Sequence, residues 1–260
     1  MINRKQFLAL ILTTAITACS PSTSNQEDEK VTLTISAATS VQDAMKAVQP
    51  IYQQNNPDVE IVYNFGSSGS LQQQIEQGAP TDVFISAAPK QMNALENKDL
   101  LLTETRKNLF KNNVVLITPQ DSQTPVKFDT LATADLDRIA LGDPKSVPAG
   151  QYAKEVLESL ESYEELTPKL IYGKDVRQVL FYVETGNVDA GIVYQTDAQI
   201  SDKIIIADTA PKDYHSPIVY PVAVVAESKN HEEAQKFINF LLAEESQAVF
   251  KKYGFTEPEG

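Results

Sequence analysis

Short runs of apolar, β-favouring residues alternate along this chain with stretches in which apolar positions recur every three to four residues. Seven runs read as strands: VTLTIS (31–36), VEIVYNF (59–65), DVFIS (82–86), NVVLIT (113–118), RIALG (138–142), KLIYG (169–173) and DAGIVY (189–194). Helical spacing joins Val41, Ala44, Met45 and Val48, then Tyr152, Val156, Leu157 and Leu160, then Val176, Val179, Leu180 and Val183. Pro50 is expected to end or kink the first of these helices. Residues 231–252 read as one or two amphipathic helices. Alternation of this kind predicts an α/β chain whose parallel or mixed sheets are flanked by helices. The run PIVYPVAVVAE (217–227) reads as a candidate strand returning to the first half. With 113–118 it would make two crossings, the layout of two hinged lobes.

The first 30 residues break this pattern. Arg4 and Lys5 precede an apolar run from Phe7 to Ile16 that is too short to span a bilayer, so 1–18 reads as a secretory signal. Ile16-Thr17-Ala18-Cys19 resembles a bacterial lipobox, which implies cleavage before Cys19, its acylation, and a periplasmic or other extracytoplasmic protein anchored to a bacterial membrane. Cys19 is the only cysteine, so no disulfide forms within one chain. Residues 19–30 are then a lipid-anchored, polar and flexible tether. The formal charge is −13, and loss of Arg4 and Lys5 with the signal takes it to −15. Such acidity argues against a nucleic-acid partner, and it repels anions at long range, so any anion site must work through local donors.

Four loops follow strands and open helices, the place where open α/β sheets bind ligands and where unpaired backbone NH groups suit anions. In Ala37-Ala38-Thr39-Ser40, Ser40 can cap the helix that follows and still offer its hydroxyl. In Phe65-Gly66-Ser67-Ser68-Gly69-Ser70, glycines admit a ligand to the backbone and serines add donors. Between Gly142 and Gly150, Pro148 suits a first helical position and leaves the Ala149 NH as a free donor. In the fourth, Asp175 caps a helix, Val176 takes its first position, and Tyr194 ends the next strand with a phenol that can donate. Singly, each loop is equally an ordinary cap, turn or core tyrosine.

Enzyme signatures are weaker still. Gly66 to Ser70 departs from the nucleophile elbow at its fifth position, no Ser has Lys three residues on, and no P-loop is present. His231-Glu232-Glu233-Ala234-Gln235 imitates a zinc-protease helix but has Gln in place of the second His. A serine hydrolase built on Ser68, an acid and His215 is the remote alternative, and an adhesive or structural lipoprotein is another.

Taken together, AATS (37–40), FGSSGS (65–70), GAPTDVFISA (78–87), GDPKSVPAGQYAKE (142–155), DVRQVLFYVETGNVDAGIVYQTDA (175–198), YPVAVV (220–225) and KKYGF (251–255) resemble the periplasmic molybdate-binding proteins of ABC transporters. The resemblance covers nearly the whole chain after the tether. It implies a two-lobe type II periplasmic-binding-protein fold, each lobe a mixed, mostly parallel sheet flanked by helices, joined by a two-strand hinge. Lobe 1 is expected at 31–112 plus 225–260 and lobe 2 at 113–224. It further implies a non-enzymatic, monomeric receptor with no cofactor that delivers molybdate, or tungstate, to an ABC permease. Molybdenum enters only as the oxyanion, held by donors that carry over to Ser40, Ser68, Ala149, Val176 and Tyr194. Thr39, where relatives often have Ala, is a departure. A receptor for another tetrahedral oxyanion such as sulfate is the nearest alternative.

Overall fold

The computed structural model describes residues 30–258. The signal, Cys19 and all of the tether before Lys30 lie outside the described residues. The first half runs β1 (Val31–Ala38), α1 (Gln42–Asn55), β2 (Val59–Gly66), α2 (Ser68–Glu76), β3 (Val83–Ile85), α3 (Pro89–Glu96) and β4 (Lys107–Lys111). The second runs β5 (Val114–Pro119), β6 (Ile139–Gly142), α4 (Pro148–Ser159), α5 (Tyr163–Leu166), β7 (Leu170–Gly173), α6 (Val176–Glu184), β8 (Ala190–Tyr194), α7 (Gln195–Ala198) and β9 (Ile204–Thr209). The chain then closes with β10 (Val219–Val224), α8 (His231–Leu242) and α9 (Glu244–Lys252).

These strands form two five-stranded sheets of matching design, ordered β2-β1-β3-β10-β4 and β7-β6-β8-β5-β9. In each, three strands are parallel and the fourth in order runs antiparallel to both its neighbours: β10 in the first sheet, β5 in the second. The chain passes between sheets at Asn112-Asn113 and returns over residues 210–218. The return therefore comes earlier than a boundary at 224/225 requires, because Val219–Val224 already pairs with β3 and β4. Pro221 sits in that strand where the register shifts between Tyr220 and Pro221, a bulge that tolerates a residue without an NH.

The helices bury the stripes that their spacing predicts. Ala44, Met45 and Val48 of α1, Tyr152, Val156 and Leu157 of α4, and Val176, Val179, Leu180 and Val183 of α6 are all buried. Pro50 does not end α1, which runs on to Asn55. A proline here forfeits one backbone hydrogen bond. Beyond it, Tyr52 is buried with its ring 5.0 Å from both Phe237 and Phe240, which holds the last turn in place. Residues 231–252 form two helices that meet at Ala243. Phe255, just after them, packs on Phe110 of β4 with ring centroids 4.4 Å apart, and Thr256 bridges Lys111 at the crossing.

Candidate oxyanion site between the lobes

The carboxyl ends of the parallel strands in both sheets feed the loops that meet where the lobes face each other. Ser40 lies in a single 3-10 turn, Thr39–Val41, between β1 and α1. It does not cap α1, whose N-cap is Val41 with no side-chain bond. Its hydroxyl is instead 3.0 Å from the Tyr220 hydroxyl of β10, which is fully buried. Tyr220 Oη also accepts from Asn112 Nδ2 at 3.2 Å, and Asn112 Oδ1 is taken by the Asn113 NH. An amide NH2 can only donate. With one lone pair of the phenol oxygen taken by Asn112, the phenol proton can be directed to Ser40 Oγ, and in that arrangement the proton of Ser40 is available to a further acceptor.

Ser68 obeys the same logic. Ser67 takes the cap of α2, accepting from Ser70 N, so Ser68 is the first helical residue and is fully buried. Its Oγ accepts from the Ala87 NH at 2.9 Å, again a group that only donates, so the Ser68 hydroxyl proton is also free to act outward. Tyr194, at the end of β8 in the other lobe, reaches the same residue: its hydroxyl donates to Ala87 O at 3.3 Å. A bond of that length is weak and is readily exchanged for a better acceptor. Burial, followed by the proximity of Tyr220, Tyr152 and Asp197, raises the Tyr194 pKa well above the ordinary phenol value, so its proton stays on.

Ala149 and Val176 contribute backbone. Pro148 and Val176 are the first residues of α4 and α6, and the first NH groups of a helix have no partner within it. Asp175 caps α6 by accepting from Gln178 N at 2.9 Å, and Gln178 Oε1 accepts from Lys174 N at 2.7 Å, which leaves the amides of positions 176 and 177 between them. Gly150 lets α4 start hard against β6, since a Cβ there would collide with the carbonyl of Gly142. Three further contacts bring the lobes together around these groups. The Gly69 NH donates to Ser146 O at 2.9 Å, α6 packs on the turn that carries Ser40, and Arg177 Nη2 is 2.7 Å from Asp43 Oδ2. All five positions are nearly or wholly inaccessible to solvent.

The pattern that defines the bacterial extracellular solute-binding protein family matches residues 33–256. The chain belongs to that family. Members similar to it include a provisionally named ABC transporter substrate-binding lipoprotein, YvgL of Bacillus subtilis, 47% identical over 93% of both chains. The molybdate-binding protein ModA of Haemophilus influenzae is 39% identical over 86% of this chain and 89% of its own. Among solved structures, the substrate-binding domain of a provisionally named molybdenum ABC transporter from Clostridium difficile is 45% identical, with a TM-score of 0.69 over 88% of this chain and 100% of that one. The paired α/β sheets are thus the fold of periplasmic binding proteins.

For this solute-binding protein, catalysis has no footing at the serines. Ser68 and His215 make no hydrogen bond to each other; the His215 ring nitrogen faces Ser216 O at 2.8 Å. Among the described residues no group of His, Cys, Asp and Glu is placed to hold a metal ion. Sequence reasoning missed Tyr220, Asn112 and Ala87, which engage the hydroxyls of Ser40, Ser68 and Tyr194 directly or through one another. Tyr220 stands in the recognised stretch YPVAVV, but its partner Ser40 is 180 residues away.

Proposed function

We propose that the protein is an extracytoplasmic receptor that captures molybdate, and equally tungstate, between its lobes and hands it to an ABC permease. Ser40, Ser68 and Tyr194 would donate hydroxyl protons and Ala149 and Val176 their amides. Cys19 would carry the lipid that keeps the receptor at the membrane, as the name of YvgL indicates for that relative. Molybdate at neutral pH is a tetrahedral dianion that offers only acceptors. The observation that carries the reading is the matching one: the Ala87 NH, which can only donate, occupies Ser68 Oγ as an acceptor and leaves that hydroxyl proton to be given to an anion. Hydrogen bonds to a charged group contribute roughly 1.5 to 3 kcal/mol each, so five of them supply about 7 to 15 kcal/mol, a range that spans the ~8 kcal/mol of micromolar binding.

The reading is tested by calorimetry on the chain from Ser20 onward, which keeps every described residue. Molybdate and tungstate should bind with similar affinity, and a large excess of sulfate should not displace them, because its shorter bonds leave some donors out of reach. Sulfate displacing molybdate would replace this ligand with the smaller one. Ser68→Ala and Tyr194→Phe should each weaken molybdate binding at least several-fold, and unchanged affinity in both would remove these residues from the site.

A further inference from the structure

Arg177 is the second residue of α6, directly after Val176. A cation in the first turn opposes the helix dipole, so the stability of α6 does not explain it. Its guanidinium spans two carboxylates that belong to different lobes. Nη2 lies 2.7 Å from Asp43 Oδ2 on α1, and Nε lies 2.6 Å from Asp197 Oδ1 on α7. Burial works against the charge, but Asp197 and Asp43 together outweigh it and hold the arginine pKa above its ordinary value. The fully buried Asp197 fixes the guanidinium within the second lobe, whereas the Asp43 side chain is 37% exposed and attaches it to the first.

We infer that Arg177 is a positioning residue for anion capture: it joins the turn bearing Ser40 to the amide end of α6 when the lobes close, without itself touching the anion. This rests on the receptor function proposed above. Two carboxylates already engage the guanidinium, so it is no free ligand for a dianion and adds little attraction at long range. Asp43 follows Ser40 by three residues and Arg177 follows Val176 by one, so their contact fixes the distance between two donors on opposite lobes. Opening would cost Arg177 its ion pair with Asp43 while leaving that with Asp197 intact. The contact exists only in the closed form, and its loss belongs in the rate of release.

Stopped-flow binding and release of molybdate by the chain from Ser20 onward, with Asp43→Asn beside the unmodified sequence, decides the matter. Release should quicken roughly three- to tenfold while association stays within about twofold, as expected for a partly exposed ion pair joining two surfaces. Asp43→Glu should restore slow release. Added salt should speed release from the unmodified protein more than from Asp43→Asn, since only the former has a pair between the lobes to screen. Asp43 is partly exposed, and an unchanged melting temperature without ligand shows that the variant folds. Release at the unmodified rate, or a change confined to association, overturns the role of Arg177 while leaving molybdate capture intact. Failure of the unmodified protein to bind molybdate overturns both.

Discussion

Asp197 is a carboxyl group with no exposure to solvent on the short helix α7. Burial raises its pKa from 3.8 to about 6 even though Arg177 pulls the other way; Asp43 and Asp175 add repulsion, and the phenols of Tyr194 and Tyr220 are its neutral neighbours. The sign of the consequence follows from which state holds the proton. Between about pH 4 and 6 the native protein keeps a proton that the unfolded chain has released, so the contribution of Asp197 to stability is full below that window and is lost as pH rises through it. Relative to Asp197→Asn, the unmodified protein should lose on the order of 2 to 3 kcal/mol between pH 4 and pH 7. Denaturant melts of both proteins at several pH values measure this, and parallel profiles would contradict it. The proximity of Asp197 to Arg177, twenty residues earlier in the chain, was not legible in the sequence. The separate elements showed, but nothing indicated that α7 folds back against α6.

At the level of elements, α2 and the loop before α4 approach as closely as backbone can. Gly69 is the second residue of α2, and a Cβ there would stand 2.5 Å from Ser146 O and 2.7 Å from its Cα, both rigid backbone of the opposite lobe. Gly69→Ala should therefore separate two quantities. Alanine favours a helix by roughly 0.5 to 1 kcal/mol over glycine, so the ligand-free protein should melt no lower. Molybdate affinity should nevertheless fall by roughly tenfold or more, because the lobes are propped apart by the added methyl. Calorimetry and thermal melts on one sample check both, and unaltered affinity would show that the contact is not needed for capture. Elements with their own signal were readable: Pro148 opens α4, Asp175 caps α6, and the stripe from Val176 to Val183 is buried as its spacing requires. Strands β4 and β9 were not. In KNLFK only Leu109 and Phe110 are buried, and in IIIADT Ile205 and Ile206 remain more than 40% exposed on a strand that pairs only with β5. KNLFK lacks the alternation that marks a strand in sequence, and the short apolar run of IIIADT lies at the sheet edge with only Ile204 buried. Ser40 was read as a cap because the cap is a local option, whereas its actual partner is Tyr220 across the fold.

For the whole molecule, the two lobes are joined by the two-residue crossing at Asn112-Asn113, by the longer one over residues 210–218, and by the contacts around the candidate site. A ligand held by both halves and absent from the unfolded chain raises apparent stability by mass action, about 2.7 kcal/mol at a hundredfold excess over Kd. For a chain of this size that is a rise of about 5 to 10 °C in melting temperature with molybdate. Absence of any rise with either molybdate or tungstate would count against a native-state oxyanion site of any design. The two sheets differ in one respect that bears on how the molecule comes into being. All five strands of the second sheet, β5 to β9, lie in one uninterrupted stretch, whereas the first sheet lacks an interior strand until β10 is made. A growing polypeptide would therefore complete its later half first. The earlier half, though synthesised before it, stays an unfinished layer with β3 and β4 unjoined until nearly the last forty residues emerge to fill the gap.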